Sequence, residues 1–233
     1  MHEIHIRKGK LYFGGVLAMN DGTKNEMMQR IEKAALQLFT HQGFDGTSIR
    51  EIATAAKCNV ANISYYFDSK KGLLEYLMKQ YFETYFSYIH VVLQDENNQT
   101  MTDLFLQLVD TILHYQFENR QLTRFVQREI LFDTTLAREI MTTYFMREKY
   151  IFSSIIHEGK RTKEFQKVKD EEVLLYVRSY LSAPFIYEHY MNEVLHCSVW
   201  EKNYASKYIQ NFHQWFHRNL LNQVAVCKEN FSV

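Results

Sequence analysis

Side chains able to do chemistry are sparse and scattered along this 233-residue chain. His213 and His217 stand four residues apart, which puts both on one helix face at the spacing of a two-histidine metal site. No third ligand accompanies them, so they read as surface or interface histidines, as does His196 beside Cys197. Cys58 could serve as a redox switch, but a buried small hydrophobe is the simpler role. No nucleophile is paired with a base, and no GxGxxG, P-loop or metal set is present, which argues against an enzyme and against any cofactor. What stands out instead is a dense run of hydrogen-bonding side chains between Thr47 and Leu74. Asn62 can pair bidentately with adenine, and Ser64 can bond to any base. Ser48, Tyr65, Tyr66, Lys70 and Lys71 suit phosphate contacts. Thr47, Arg50, Asn59, Val60 and Ala61 complete the candidate DNA-reading set, the last two by being small beside the donors.

Such a set reads DNA only if local elements hold it. Ser48 and Glu51 form an S-x-x-E capping box that starts a short helix. Lys57-Cys58 make a turn, Asn59 caps a second short helix to about Tyr66, and Asp68-Ser69 cap a third. Ile49, Ile52, Ile63 and Phe67 supply the inward faces. This is the pattern of a helix-turn-helix, whose second helix enters the major groove. Upstream, Met28, Ile31, Ala35, Leu38 and Phe39 define a helix from Asn25 that ends at Gly43. Downstream, an apolar stripe from Leu73 to Ile89 runs over about five turns.

The rest is helical by period. Leu104, Leu108, Ile112 and Tyr115 mark one helix; Leu122, Phe125, Val126 and Ile130 another. A third runs from Thr135 to about Gly159, and a polar linker spans Lys160 to Glu172. The helix from Val173 to about Val194 contains Pro184, which should kink it or end its first half. The last runs from Tyr204 to about Val226. The expected fold is all-α with about nine helices. It divides into a helix-turn-helix unit over 24–70 and a helical dimerisation and regulatory domain over 71–233. Residues 1–23 show no helical or strand period. They are expected to be a disordered arm or an over-long gene start, with Met19 as the native first residue.

Composition bounds the rest. One proline and 8 glycines suit long helices. Formal net charge is zero, so any basic surface is local. Three dispersed cysteines, Cys58, Cys197 and Cys227, argue against a disulfide framework and fit a reducing cytoplasm. No run reaches the ~18 apolar residues of a membrane span, so no membrane partner is expected.

The segments QLFTHQGFDGTSIREIATAA (Gln37 to Ala56) and YYFDSKKGLL (Tyr65 to Leu74) resemble the TetR family of bacterial transcriptional regulators. Lys57 and Ser64 stand where that family usually has glycine and tyrosine, which marks an atypical base reader. The resemblance implies a homodimeric repressor on a palindromic operator, located in the cytoplasm on the nucleoid. Its C-terminal helices imply a dimer seam of Phe185, Ile186, Tyr190, Phe212, Trp215, Phe216 and Leu220. They also imply a small apolar ligand among Tyr85, Tyr115, Phe117, Phe125, Phe132, Tyr144 and Phe145, against the plainer reading of a filled core. Within the family, NVANISYYF before a KxGL helix start resembles division regulators of sporulating bacilli. That implies an alternative: a DNA-bound regulator of cell division acting on a protein partner such as FtsZ.

Overall fold

The computed structural model describes residues 4–7, 10–13, 26–95, 100–132 and 134–222. Among them are eleven α-helices. Helix α1 (Glu26–Gln42) buries Ile31, Ala34, Ala35 and Phe39, the stripe expected from its period. It ends at Gly43, whose φ of 79° is left-handed and open to glycine at no steric cost. Helices α2 (Ile49–Ala55) and α3 (Val60–Phe67) follow, then the 25-residue α4 (Lys70–Gln94). At ~1.5 Å per residue α4 is nearly 40 Å long. Its start packs on α3 and its remainder on α5 (Met101–Glu118), so it is the spine shared by both units.

Helix α6 (Arg120–Ile130) returns to the helix-turn-helix unit. Phe125 stacks on Phe39 of α1, with ring centroids 5.7 Å apart, and Arg128 Nη2 donates to the Phe39 carbonyl at 3.0 Å. One continuous apolar core therefore runs from α1 to α11.

The expected helix from Thr135 is present but interrupted. Helix α7 (Thr135–Ile140) passes through a π-helical turn, Met141–Phe145, into α8 (Met146–Arg161). Helix α9 (Asp170–Ile186) carries Pro184 in its last turn, and a short α10 (Glu188–Glu193) follows. These two interruptions account for the difference from the nine helices expected. Helix α11 (Tyr204–Asn219) stops earlier than expected, and its extension to Val226 and Cys227 lie outside the described residues.

At the other end β1 (Ile4–Arg7) pairs antiparallel with β2 (Lys10–Phe13), Ile4 opposite Phe13 and Arg7 opposite Lys10. The strand period judged absent there is thus too short to register, at four residues a strand. The remainder of the 1–23 stretch, Met19 included, lies outside the described residues. Apart from this ribbon and a single bridge between Phe165 and Leu221, the described fold is helical.

The body's core holds a buried polar cluster. Tyr85 donates its hydroxyl to Glu148, and Arg178 pairs with both oxygens of that carboxylate at 3.3 Å and with Ser182 at 2.7 Å. Burial, reinforced by the Glu148 charge, pushes the Tyr85 hydroxyl well above its usual range, so it stays a donor.

Candidate nucleic-acid interface

The local chemistry of Thr47–Leu74 builds the site as expected. Ser48 Oγ accepts from the Glu51 backbone N–H at 3.2 Å, and the Glu51 carboxylate accepts from the Ser48 N–H at 2.7 Å. The Ser48 backbone N–H, and after it the Ser48 hydroxyl, hold the Glu51 carboxyl below its usual pKa. Asn59 Oδ1 accepts from the Ala61 N–H at 3.0 Å and starts α3; Ser69 accepts from Gly72 and starts α4. Ile52, Ala53 and Ala56 of the first helix and Ile63 and Phe67 of the second are buried. Anchoring Ile63 and Phe67 turns Ala61, Ser64 and Tyr65 outward, and Tyr65 is 83% exposed. Asn62 and Tyr66 are half-buried at the edge of that face, and Tyr66 packs edge-on against Tyr65. Ser48, Arg50, Asn59 and Lys71 are exposed around it, and Lys71 also pairs with Glu75 at 3.4 Å.

Three expected contact residues are placed otherwise. Thr47 is buried, and its hydroxyl donates to the Gly43 carbonyl at 2.7 Å, so it closes the α1–α2 loop rather than facing solvent. Val60 packs partly against the core. Lys70 turns inward: its ammonium donates to the Phe44 and Thr47 carbonyls, both at 2.9 Å, and sits 4.2 Å above the Phe44 ring. It braces the loop that aims α2, and two of its three donors are spent there.

Sequence reasoning missed Arg30. From α1 its guanidinium reaches across to the turn, donating to the Ala56 carbonyl through Nε (3.0 Å) and Nη2 (2.5 Å) and to the Lys57 carbonyl (2.6 Å). These are carbonyls that the end of α2 leaves without helical partners. Lys57 takes a left-handed φ of 52° there. A glycine would adopt that conformation freely, and the guanidinium holds the lysine in it. Only its distance from the motif hid Arg30; no local pattern marks a side chain that bonds 26 residues away. Cys58, in the same turn, is half-buried, and burial pushes its thiol up against the opposing pull of Arg30, which disfavours the reactive thiolate.

The expected dimer residues divide. Phe212, Phe216 and Leu220 are fully buried within the protomer, and Phe185 nearly so. Phe212 stacks on Phe105, Phe216 meets Phe105 and Phe185 meets Phe117 at a tilt, and with Leu220 fully buried these four belong to the core and not to a seam. These side chains are consumed within the protomer because α11 packs on α5 and, through the Tyr208–Tyr180 stack, on α9. Ile186 and Trp215 stay half-buried, Trp215 stacked on Tyr176 at 3.6 Å, and Tyr190 is exposed, as are Tyr187 and Leu175. The aromatics considered for a ligand pocket pack closely on one another. Phe82 stacks on Tyr144 at 4.7 Å, Tyr81 meets Tyr115 at 5.3 Å, and only Phe132 of the expected set is exposed. No helix among the described residues is long and apolar enough to cross a membrane, and no cluster of His, Cys, Asp or Glu there could hold a metal.

The arrangement is that of a helix-turn-helix DNA-binding protein. The description "Bacterial regulatory proteins, tetR family" matches residues 31–77, which span α1 to the first turns of α4. The chain is 42% identical over 186 residues to a probable HTH-type transcriptional regulator, YttP, of Bacillus subtilis, an alignment covering 80% of this chain and 90% of that one. It is 32% identical over 101 residues to IcaR, the negative transcriptional regulator of the biofilm operon icaADBC in Staphylococcus aureus, covering 43% of this chain and 53% of that one. A tetR-family regulatory protein of Rhodococcus RHA1 shares the fold with a TM-score of 0.66 at 19% identity, over 81% of this chain and 95% of that one. The chain belongs to the TetR family of transcriptional regulators, which are not enzymes.

Proposed function

We propose that the protein is a repressor that binds a two-fold-related DNA site as a homodimer, and so works on the nucleoid in the cytoplasm. The observation that carries this is the exposed face of α3, where Ala61, Ser64 and Tyr65 point outward from a helix anchored by Ile63 and Phe67. Asn62 and Ser64 supply base-edge chemistry, and Ser48, Arg50, Tyr65 and Lys71 surround them for phosphates. The name of IcaR, a negative regulator, favours repression over activation. A single short reading helix contacts too few base pairs to be selective, so two copies on half-sites about one helical turn apart supply the specificity. The remaining surface apolar residues of the last helices, Ile186, Tyr190 and Trp215 among them, are the candidate seam. Neither the described residues nor the relatives favour a division partner such as FtsZ.

Genome-wide mapping of bound DNA, followed by fluorescence anisotropy on the recovered sites, tests the proposal. Two-fold-related half-sites bound with two chains per duplex are the expected result. Recovered sites with no shared sequence, or one chain per duplex, would overturn it.

A further inference from the structure

The turn between α2 and α3 is closed by its own backbone and completed by one side chain from outside the motif. The Cys58 N–H donates back to the Ala53 carbonyl at 2.9 Å, and the Lys57 N–H to the Thr54 carbonyl at 3.1 Å. This is the paired bonding of a Schellman stop, in which the residue after the cap turns left-handed and is most often glycine. Here that residue is Lys57, with its φ of 52°. A left-handed lysine is disfavoured because its Cβ crowds the backbone. Unlike asparagine or aspartate, it has no short polar side chain to bond locally in compensation.

The Schellman bonds engage the Ala53 and Thr54 carbonyls, and Arg30 takes those of Ala56 and Lys57. The Ala56 and Lys57 carbonyls belong to the two peptide planes on either side of the Lys57 Cα. A planar guanidinium bonded to both therefore fixes φ and ψ of Lys57 together. Those two angles set the direction in which the chain leaves α2. Only Cys58 separates Lys57 from Asn59, the residue that caps α3, so a change at Lys57 passes directly to the reading helix. Helix α1, which carries Arg30, packs on both α2 and α3.

We propose that Arg30 is a positioning residue for DNA reading: by holding Lys57 left-handed it sets the angle of α3 to α2, and with it the aim of Asn62 and Ser64. The inference rests on α3 being the helix that contacts DNA. The bonds to the turn run through Nε and Nη2, so the competing role for Arg30 is a phosphate contact through Nη1. The two roles differ in one respect. A glycine at position 57 takes the left-handed conformation freely and makes a clamp dispensable, but it cannot replace a phosphate contact.

A double-mutant cycle in the full-length protein separates them, using Arg30→Ala, Lys57→Gly and the two combined. In the absence of DNA, amide hydrogen exchange at Cys58, whose N–H closes the turn, should be about tenfold faster in Arg30→Ala than in wild type. Against the Lys57→Gly background the same exchange should change by about threefold or less. On a duplex recovered by genome-wide mapping, Arg30→Ala should bind about tenfold more weakly with an unchanged salt slope, and this loss too should shrink to about threefold or less in the Lys57→Gly background. Circular dichroism checks that each variant is folded. Should Arg30→Ala alone not fold, a folded double variant that binds like Lys57→Gly carries the same meaning, and an unfolded one overturns the proposal. Unchanged exchange at Cys58 in folded Arg30→Ala, an equal loss of affinity in both backgrounds, or a salt slope lower by about one would also overturn it. Wild-type protein that binds none of the recovered duplexes would count against the repressor reading alone, since the exchange arm contains no DNA and decides the clamp by itself.

Discussion

The reading surface depends on a division of labour among neighbouring side chains that residue type alone does not reveal. Arg50 is exposed at α2, whereas Asn62 is half-buried on α3, at the edge of the face proposed to read bases. Arg50→Ala should weaken all DNA sequences alike and lower the slope of log affinity against log salt by about one. Asn62→Ala should instead relax discrimination at one base-pair position by about 1–3 kcal/mol, read by competition with singly altered operators. Lys70 reads in the sequence as a phosphate contact alongside Lys71, yet its ammonium bridges the Phe44 and Thr47 carbonyls. Lys70→Ala should therefore cost roughly 1–2 kcal/mol of unfolding free energy without any DNA present, as expected for lost hydrogen bonds from a charged donor. Urea denaturation measures it, and unchanged stability would return Lys70 to phosphate contact. Glu129 titrates with a definite sign. Its carboxyl pKa is raised in the folded protein, so its contribution favours folding in acid and is lost as pH rises through the folded pKa. Glu129→Gln should be more stable than wild type at neutral pH. The gain should vanish below the ordinary carboxylate range, and thermal melts across pH decide it.

At the scale of elements, most of the helix-turn-helix was legible because its punctuation is local. The capping box at Ser48–Glu51, the Asn59 and Ser69 caps and the Gly43 stop act within three or four residues of themselves. The α3–α4 junction is tighter than those signals suggest. A Cβ at Gly72 would collide with the Phe67 carbonyl oxygen. Gly72→Ala should destabilise the protein by about 1–3 kcal/mol and loosen the seating of α3 on α4, which denaturation and DNA titration together would register. The breaks in the body were harder to read. Pro184 announced the end of α9, but the π-helical turn at Met141–Phe145 carries no residue that forbids ordinary helix. The apolar period runs through it without a break and so does not mark its position.

At the scale of the molecule, a helix face is apolar either because it meets its own core or because it meets a second copy. Phe212, Phe216 and Leu220 fall in the first class: all three are fully buried in the protomer, and the rings of Phe105 and Phe165 meet Phe212 and Phe216. Leu175, 69% exposed on α9, falls outside that core. Leu175→Glu should leave the fold intact and convert the proposed dimer to monomer by light scattering, at the expense of operator affinity. Phe216→Glu should unfold the protomer instead. A dimeric, folded Leu175→Glu would move the seam elsewhere.

By itself the sequence determined the helix-turn-helix, its caps and turn, the all-helical class and the family, because short-range hydrogen bonds and the 3.6-residue period are written along the chain. The tertiary structure alone decided which donors remain available. It turned Thr47 and Lys70 inward, brought Arg30 across 26 residues onto the Lys57 turn, and filled the expected seam and pocket with intramolecular aromatic contacts. It also set Asp45 and Glu129, 84 positions apart in the numbering, in one cleft. Side-chain destination depends on the packing of helices distant in sequence, and periodicity specifies only which face turns inward, not what it meets there.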